Sequence, residues 1–171
     1  TETMGLVLRG AVLVLQEDLW GHRNIIHRIG AGEFFAEAFA ATSGSVLDVN
    51  IVADEDTEVM LLHMGRLLQT CPHACAHHNR LVRNLVSVMA RRVMNLNEKI
   101  THMAKRSTRE KLLSYLSAES IRQGKLSFTI PYDRQQLADF LSVDRSAMSS
   151  ELSKMRSEGL IEFDKNEFRL L

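Results

Sequence analysis

Two cysteines among 171 residues are too few to staple a fold, which excludes a disulfide scaffold of the small secreted kind. No stretch approaches the roughly 20 consecutive apolar residues that a membrane-spanning helix needs. Catalytic signatures are missing too: there is no glycine-rich loop with a Lys for phosphates, no metalloprotease helix motif and no nucleophile elbow. The expectation is therefore a cytoplasmic chain that is neither an enzyme nor a membrane protein. It begins at Thr1 inside a strand-like pattern without a signal peptide, so its first strands are expected to be missing. Net charge is also absent, with 21 Lys and Arg against 21 Asp and Glu. That balance hides a division along the chain. Thr1 to Thr70 holds four basic residues against ten acids, whereas Arg80 to Lys125 holds eleven Lys or Arg against Glu98, Glu110 and Glu119. An acidic first part is followed by a basic middle able to neutralise phosphates.

Glycine and proline are missing between Pro72 and about Ala104, and proline suits the first turn of a helix, so one long helix is expected there. Along it Val82, Val86, Met89, Val93, Leu96, Ile100 and Met103 alternate spacings of four and three, a heptad seam that calls for a second copy of the chain. Leu81, Leu85 and Val88 form another stripe, suited to holding the helix against its own domain.

Beyond the helix, Pro131 ends the strand-like run Ser127 to Ile130. Asp133 can then cap a helix, with Gln136 returning a bond to the cap. Leu137, Ala138 and Leu141 share one face, and small Ala138 suits the crossing with a second helix. Ser142 and Val143 make a turn, Asp144 caps again, and Met148, Leu152 and Met155 recur at helical spacing until Gly159. Two capped helices around a tight turn read as a helix-turn-helix, whose partner is double-stranded DNA. Leu160 to Phe163 and Glu167 to Leu170 add two strands, making the motif winged. The residues expected to meet DNA are Arg145, Ser146, Ser149, Ser150 and Lys154 on the second helix, Arg134 at the start of the first, and Lys165 and Asn166 at the wing tip. Arginine can donate two bonds to guanine, and serine hydroxyls suit base edges or phosphates.

The N-terminal part contains short strand-like runs at Leu6 to Leu15, Ile25 to Ile29, Val46 to Val52 and Val59 to Leu62, punctuated by Gly10, Gly21, Gly30, Gly32 and Gly44. This pattern predicts an antiparallel roll or barrel. The whole reads as α+β: a cupin-like, jelly-roll β-roll over 1–71, a long dimerisation helix over 72–104 and a winged helix-turn-helix over 105–171.

In that order, Leu8-Arg9-Gly10-Ala11-Val12, Gly30-Ala31-Gly32-Glu33-Phe34-Phe35-Ala36-Glu37, Ala53 to Leu62 and above all Leu137 to Ser146 resemble the Crp/Fnr family of bacterial transcription regulators over essentially the whole chain. The resemblance implies a homodimer on a near-palindromic operator, controlled by a small-molecule or redox signal in the roll, with RNA polymerase as a further partner. It places an effector pocket at Phe35, Glu37 and Val49. Cyclic-nucleotide members hold their ligand with a glutamate on the ribose, which Glu37 resembles, and an arginine-serine pair on the phosphate. Here that pair falls near Leu47 and Asp48, and between Arg28 and Arg66 there are seven acids and no Lys or Arg. A phosphate would be repelled, so cyclic AMP is not the expected effector, no cofactor is assigned and Glu37 is expected to be structural. Two departures fall in the motif: Ser142 stands where the family has glycine, and Glu151 where it has an apolar residue. Many relatives have arginine where Ser150 stands.

Cys71, Cys75, His77 and His78, with His73, cluster at the start of the long helix. Such groups can hold zinc or haem, which gives the alternative reading of a metal- or redox-responsive sensor with DNA binding secondary. Iron-sulfur members of the family need four cysteines, and the plainer expectation is a helix start with buried cysteines and solvated histidines.

Overall fold

The computed structural model describes residues 2–42, 44–68 and 76–171, with only the main chain at Leu68, His77 and His78. Two compact units meet within one helix, Thr1–Met94 and Asn95–Leu171.

The first unit begins with two three-stranded antiparallel sheets. β1 (Thr3–Arg9) lies between β4 (Phe34–Phe35) and β6 (Glu58–His63), and β2 (Ala11–Glu17) lies between β3 (Arg23–Gly30) and β5 (Asn50–Ala53). The link from β1 to β2 is Gly10 at φ 76, where a Cβ would lie 2.5 Å from the Asp56 carbonyl oxygen, so both backbone and space require glycine. Val7, Val12, Val14, Ile29 and Phe35 come from both sheets and share one core, as the alternation along the strands dictates. The predicted strand Val46 to Val52 is shorter and later than expected. Pairing exists only where β2 offers partners, from Leu15 opposite Asn50 to Val12 opposite Ala53, and Val46 is left exposed. Two short helices, α1 (Glu37–Ala41) and α2 (Met64–Leu68), interrupt the sheets.

α3 (Ala76–Met103) is the long helix that the missing glycine and proline predicted. Its two stripes behave differently. Leu85 is buried with Met4 and Met64, holding the helix on its own roll as expected, although Leu81 is exposed and Val88 half-buried. Of the seam, Val86 is 61% exposed, Val93 57%, Leu96 39% and Ile100 63%, while Val82, Met89 and Met103 are half-buried.

The second unit contains the end of α3, then α4 (Thr108–Gln123), β7 (Ser127–Thr129), α5 (Arg134–Leu141), α6 (Arg145–Ser157), β8 (Ile161–Asp164) and β9 (Glu167–Leu170). The sequence reading had no α4, yet its start is a complete capping box: Ser107 accepts from the Glu110 N–H, and the Glu110 carboxylate accepts from the Ser107 N–H. Leu112, Leu116, Leu137, Leu141, Met148, Leu152, Met155 and Ile161 are fully buried, each worth roughly 1.5–3 kcal/mol of apolar burial. Two polar groups from α3 are buried in this unit. The Lys99 ammonium lies 4.8 Å from the Phe140 ring centre, and burial pushes its pKa down to about 8. His102 Nδ1 is 2.8 Å from Ser114 Oγ, with its ring edge-on to Tyr115, and burial lowers its pKa as well.

Candidate nucleic-acid interface

The first helix of the motif, α5, is fixed by a capping box. The Asp133 carboxylate accepts from the Gln136 N–H at 2.8 Å, and the Gln136 side chain accepts from the Asp133 N–H at 2.9 Å. The helix ends at Ser142, whose φ of 50 and ψ of 60 are left-handed. This is why glycine is the residue expected at that corner, and serine there costs about 1–2 kcal/mol. Lys111 of α4 supports the corner by donating to the carbonyls of Leu141 at 3.1 Å and Ser142 at 3.3 Å. Val143 N–H returns to the Ala138 carbonyl at 3.0 Å, and the Ala138 side chain is fully buried, as a close crossing requires.

The second helix, α6, starts at Asp144, which accepts from the Ala147 N–H at 2.7 Å. Met148, Leu152 and Met155 anchor its inner face. Arg145, Ser146, Ser149, Ser150 and Lys154 are all exposed on the remainder. A helix N-terminus with exposed arginine and serine offers N–H groups and a favourable dipole to phosphate, and two parallel donors to a base edge. The Ser149 carbonyl accepts from the Ser153 hydroxyl at 3.0 Å, and Lys154 lies 3.9 Å from the Glu151 carboxylate.

β7, β9 and β8 form the wing as one antiparallel sheet, with β7 added to the two strands expected. Lys165 is exposed at its tip with φ 48, and Asn166 is half-buried, its carbonyl accepting from Ile130 N–H at 2.9 Å. Arg134 differs from the other predicted contacts. Its guanidinium packs 4.9 Å from the Phe163 ring centre and 5.0 Å from that of Phe168, and Nη1 is buried without a hydrogen-bond partner among the described residues. Burial lowers its pKa. Arg134 thus ties α5 to the wing through cation–π contacts. Arg156, which the sequence reading passed over, packs on Phe163 at 4.8 Å.

The basic stretch needs correction as a phosphate-neutralising patch, because much of it is spent within the chain. Arg92 pairs with Glu37, Arg109 with Glu151 and Glu158, and Arg122 with Glu98 and Glu119. Lys99 is buried and Lys111 is bonded to carbonyls. Arg80, Arg83, Arg91, Lys105, Arg106 and Lys125 are exposed.

In the roll, Phe35 and Val49 come together in the core between the sheets. Glu37 is 5% exposed, with its carboxylate 3.4 Å from Arg92, which also donates to the Phe34 carbonyl at 2.5 Å. Arg28 is held by Asp54 at 2.7 Å and Glu55 at 3.3 Å. Cys71 and Cys75 lie outside the described residues, as do the side chains of His77 and His78; among the described residues no three His, Cys, Asp or Glu could share a metal. No described helix is long and apolar enough to cross a membrane.

Residues 110–171 match the family model of the Crp-like helix-turn-helix domain. No curated protein matches the chain by sequence. FixK2 from Bradyrhizobium japonicum is 20% identical, with a TM-score of 0.72 over 98% of this chain and 82% of that one. CLP from Xanthomonas campestris, described as a c-di-GMP responsive global regulator, is 18% identical, with a TM-score of 0.74 over 98% of this chain and 84% of that one. A CooA mutant from Carboxydothermus hydrogenoformans is 17% identical, with a TM-score of 0.76 over 98% of this chain and 74% of that one. Residues 110–171 thus carry a Crp-like helix-turn-helix domain, and the chain as a whole shares the fold of these solved structures.

Proposed function

We propose that the chain acts as a homodimer in the cytoplasm, reading a near-palindromic operator in concert with RNA polymerase under control of a signal sensed in the roll. The observation that carries the DNA reading is α6: an Asp144-capped helix anchored by Met148, Leu152 and Met155 that leaves Arg145, Ser146, Ser149, Ser150 and Lys154 exposed. Arg145 is assigned to a base edge, Lys154 and Lys165 to phosphates, and Arg134 to the flank of the site. The dimer is supported by the exposed seam of α3, since Val86, Val93, Leu96 and Ile100 form a stripe that a second α3 would cover. Two reading heads then suit half-sites about one turn of DNA, roughly 34 Å, apart.

For the signal, the pocket is assigned to Phe35, Glu37 and Val49. The roll offers little to an anionic nucleotide: Arg28 and Arg92 are both engaged by carboxylates, and residues 29–65 contain no Lys or Arg. An uncharged or weakly charged signal fits better, and redox sensing through Cys71 and Cys75 is the second reading. Selection of binding sites from random DNA, with and without cell extract, tests the function. Enrichment of a two-fold symmetric sequence is expected; no enrichment at moderate salt would exclude sequence-specific regulation.

A further inference from the structure

Arg109 and Lys111 occupy the first turns of α4, where unpaired main-chain N–H groups and the helix dipole disfavour cations. Their placement does nothing for α4 itself, and both reach across to the DNA-reading motif. Lys111 holds the corner through the carbonyls of Leu141 and Ser142. Arg109 reaches α6, where Nη1 donates to Glu151 Oε1 at 3.2 Å and to Glu158 Oε1 at 3.1 Å, and Nη2 donates to Glu158 Oε2. Glu151 and Glu158 lie about two helical turns apart. One planar guanidinium holding both therefore fixes the direction of the helix, where a single bond would fix only a point. The arrangement also accounts for Glu151 at a position that is apolar in the family: its side chain is largely covered, and Arg109 supplies the charge it needs. Paired in this way, Glu158 is held below the usual carboxylate range.

We propose that Arg109 is a positioning residue for DNA reading: by clamping Glu151 and Glu158 it sets the angle at which α6 presents Arg145, Ser149 and Ser150. Glu151 stays engaged by Arg109 at 3.2 Å, with Lys154 at 3.9 Å, so the lysine remains available to DNA. The proposal rests on α6 being the reading helix.

The test compares two duplexes, one enriched by the wild-type protein from random DNA and one a scramble of the same composition, over a range of salt concentrations. The quantity read is the ratio of the two affinities. Arg109→Gln is expected to lower that ratio about ten-fold or more while leaving the salt slope unchanged, and Glu151→Gln with Glu158→Gln to lower it alike. Combining all three changes should add little, and Arg109→Glu with Glu158→Arg should recover part of the ratio. Should Arg109→Gln not fold, as judged by circular dichroism, the glutamate double variant and the charge swap still decide. Uniform weakening on both duplexes with a salt slope reduced by about one would instead make Arg109 a phosphate contact and overturn the proposal. If the wild type discriminates and the variants discriminate equally, the clamp fails while the DNA reading stands. If the wild type itself does not discriminate, both fail.

Discussion

Replacing Ser142 by glycine should stabilise the reading domain. Ser142 sits at φ 50 and ψ 60, a left-handed conformation that costs an L-residue about 1–2 kcal/mol. Glycine removes that cost but restores roughly 0.5–1 kcal/mol of chain entropy to the unfolded state. The net gain is then about 0.5–1 kcal/mol. Nothing offsets it in the native state, because the serine side chain is exposed and the Lys111 bond goes to the main-chain carbonyl, which glycine keeps. For a unit of this size, Asn95–Leu171, that corresponds to a rise in melting temperature of about 2–8 °C. Hydrogen exchange at the buried amides of Leu137 and Leu141, with thermal melts of the full chain, would measure it, and Ser142→Val supplies the opposite sign because a β-branched side chain resists positive φ. Equal or opposite shifts from those expected for the two variants would refute a left-handed corner.

Other perturbations act on separate links of the account. Charging the seam with Val93→Glu and Ile100→Glu should halve the solution mass seen by light scattering and abolish operator retardation; a mass unchanged from wild type would remove α3 as the dimer contact. Arg92→Met leaves the Glu37 carboxylate buried and unpaired, so urea unfolding should show a loss on the order of 3 kcal/mol, much of it recovered when Glu37→Leu is added. His102 has a folded pKa below the ordinary histidine value of 6.5, mainly through burial. The unfolded chain therefore takes up the proton first, and stability of the reading domain should decline as pH falls below about 6.5. His102→Gln should flatten that decline between pH 6.5 and 5; an identical pH profile would show that another group is responsible.

The motif was legible because its signals are local. Asp133, Gln136 and Asp144 each cap a backbone N–H within three residues, and Ser142 marks the corner by standing where glycine belongs. The helix α3 was legible for a related reason, since a run without glycine or proline needs only one element to be seen. What escaped depends on contacts distant in sequence. Counting charges between Arg80 and Lys125 could not reveal that Arg109 is claimed by Glu158, or Arg92 by Glu37. Arg134 reads from the sequence as a DNA contact at a helix start, but the wing brings Phe163 and Phe168 onto it. The strand expected over Val46 to Val52 was set by apolar content, whereas the real one follows the ladder partners that β2 provides. α4 is different in kind, because Ser107 and Glu110 announce its start locally with a capping box inside a strongly basic stretch.

The role of α6 is tested most directly by the affinity of wild type and Arg145→Ala for a selected operator and its scramble. Arg145→Ala is expected to remain dimeric, to keep its affinity for the scramble within a few-fold, and to lose about 1–3 kcal/mol on the operator. Equal discrimination by the two proteins would contradict the assignment of α6 as the helix that reads DNA.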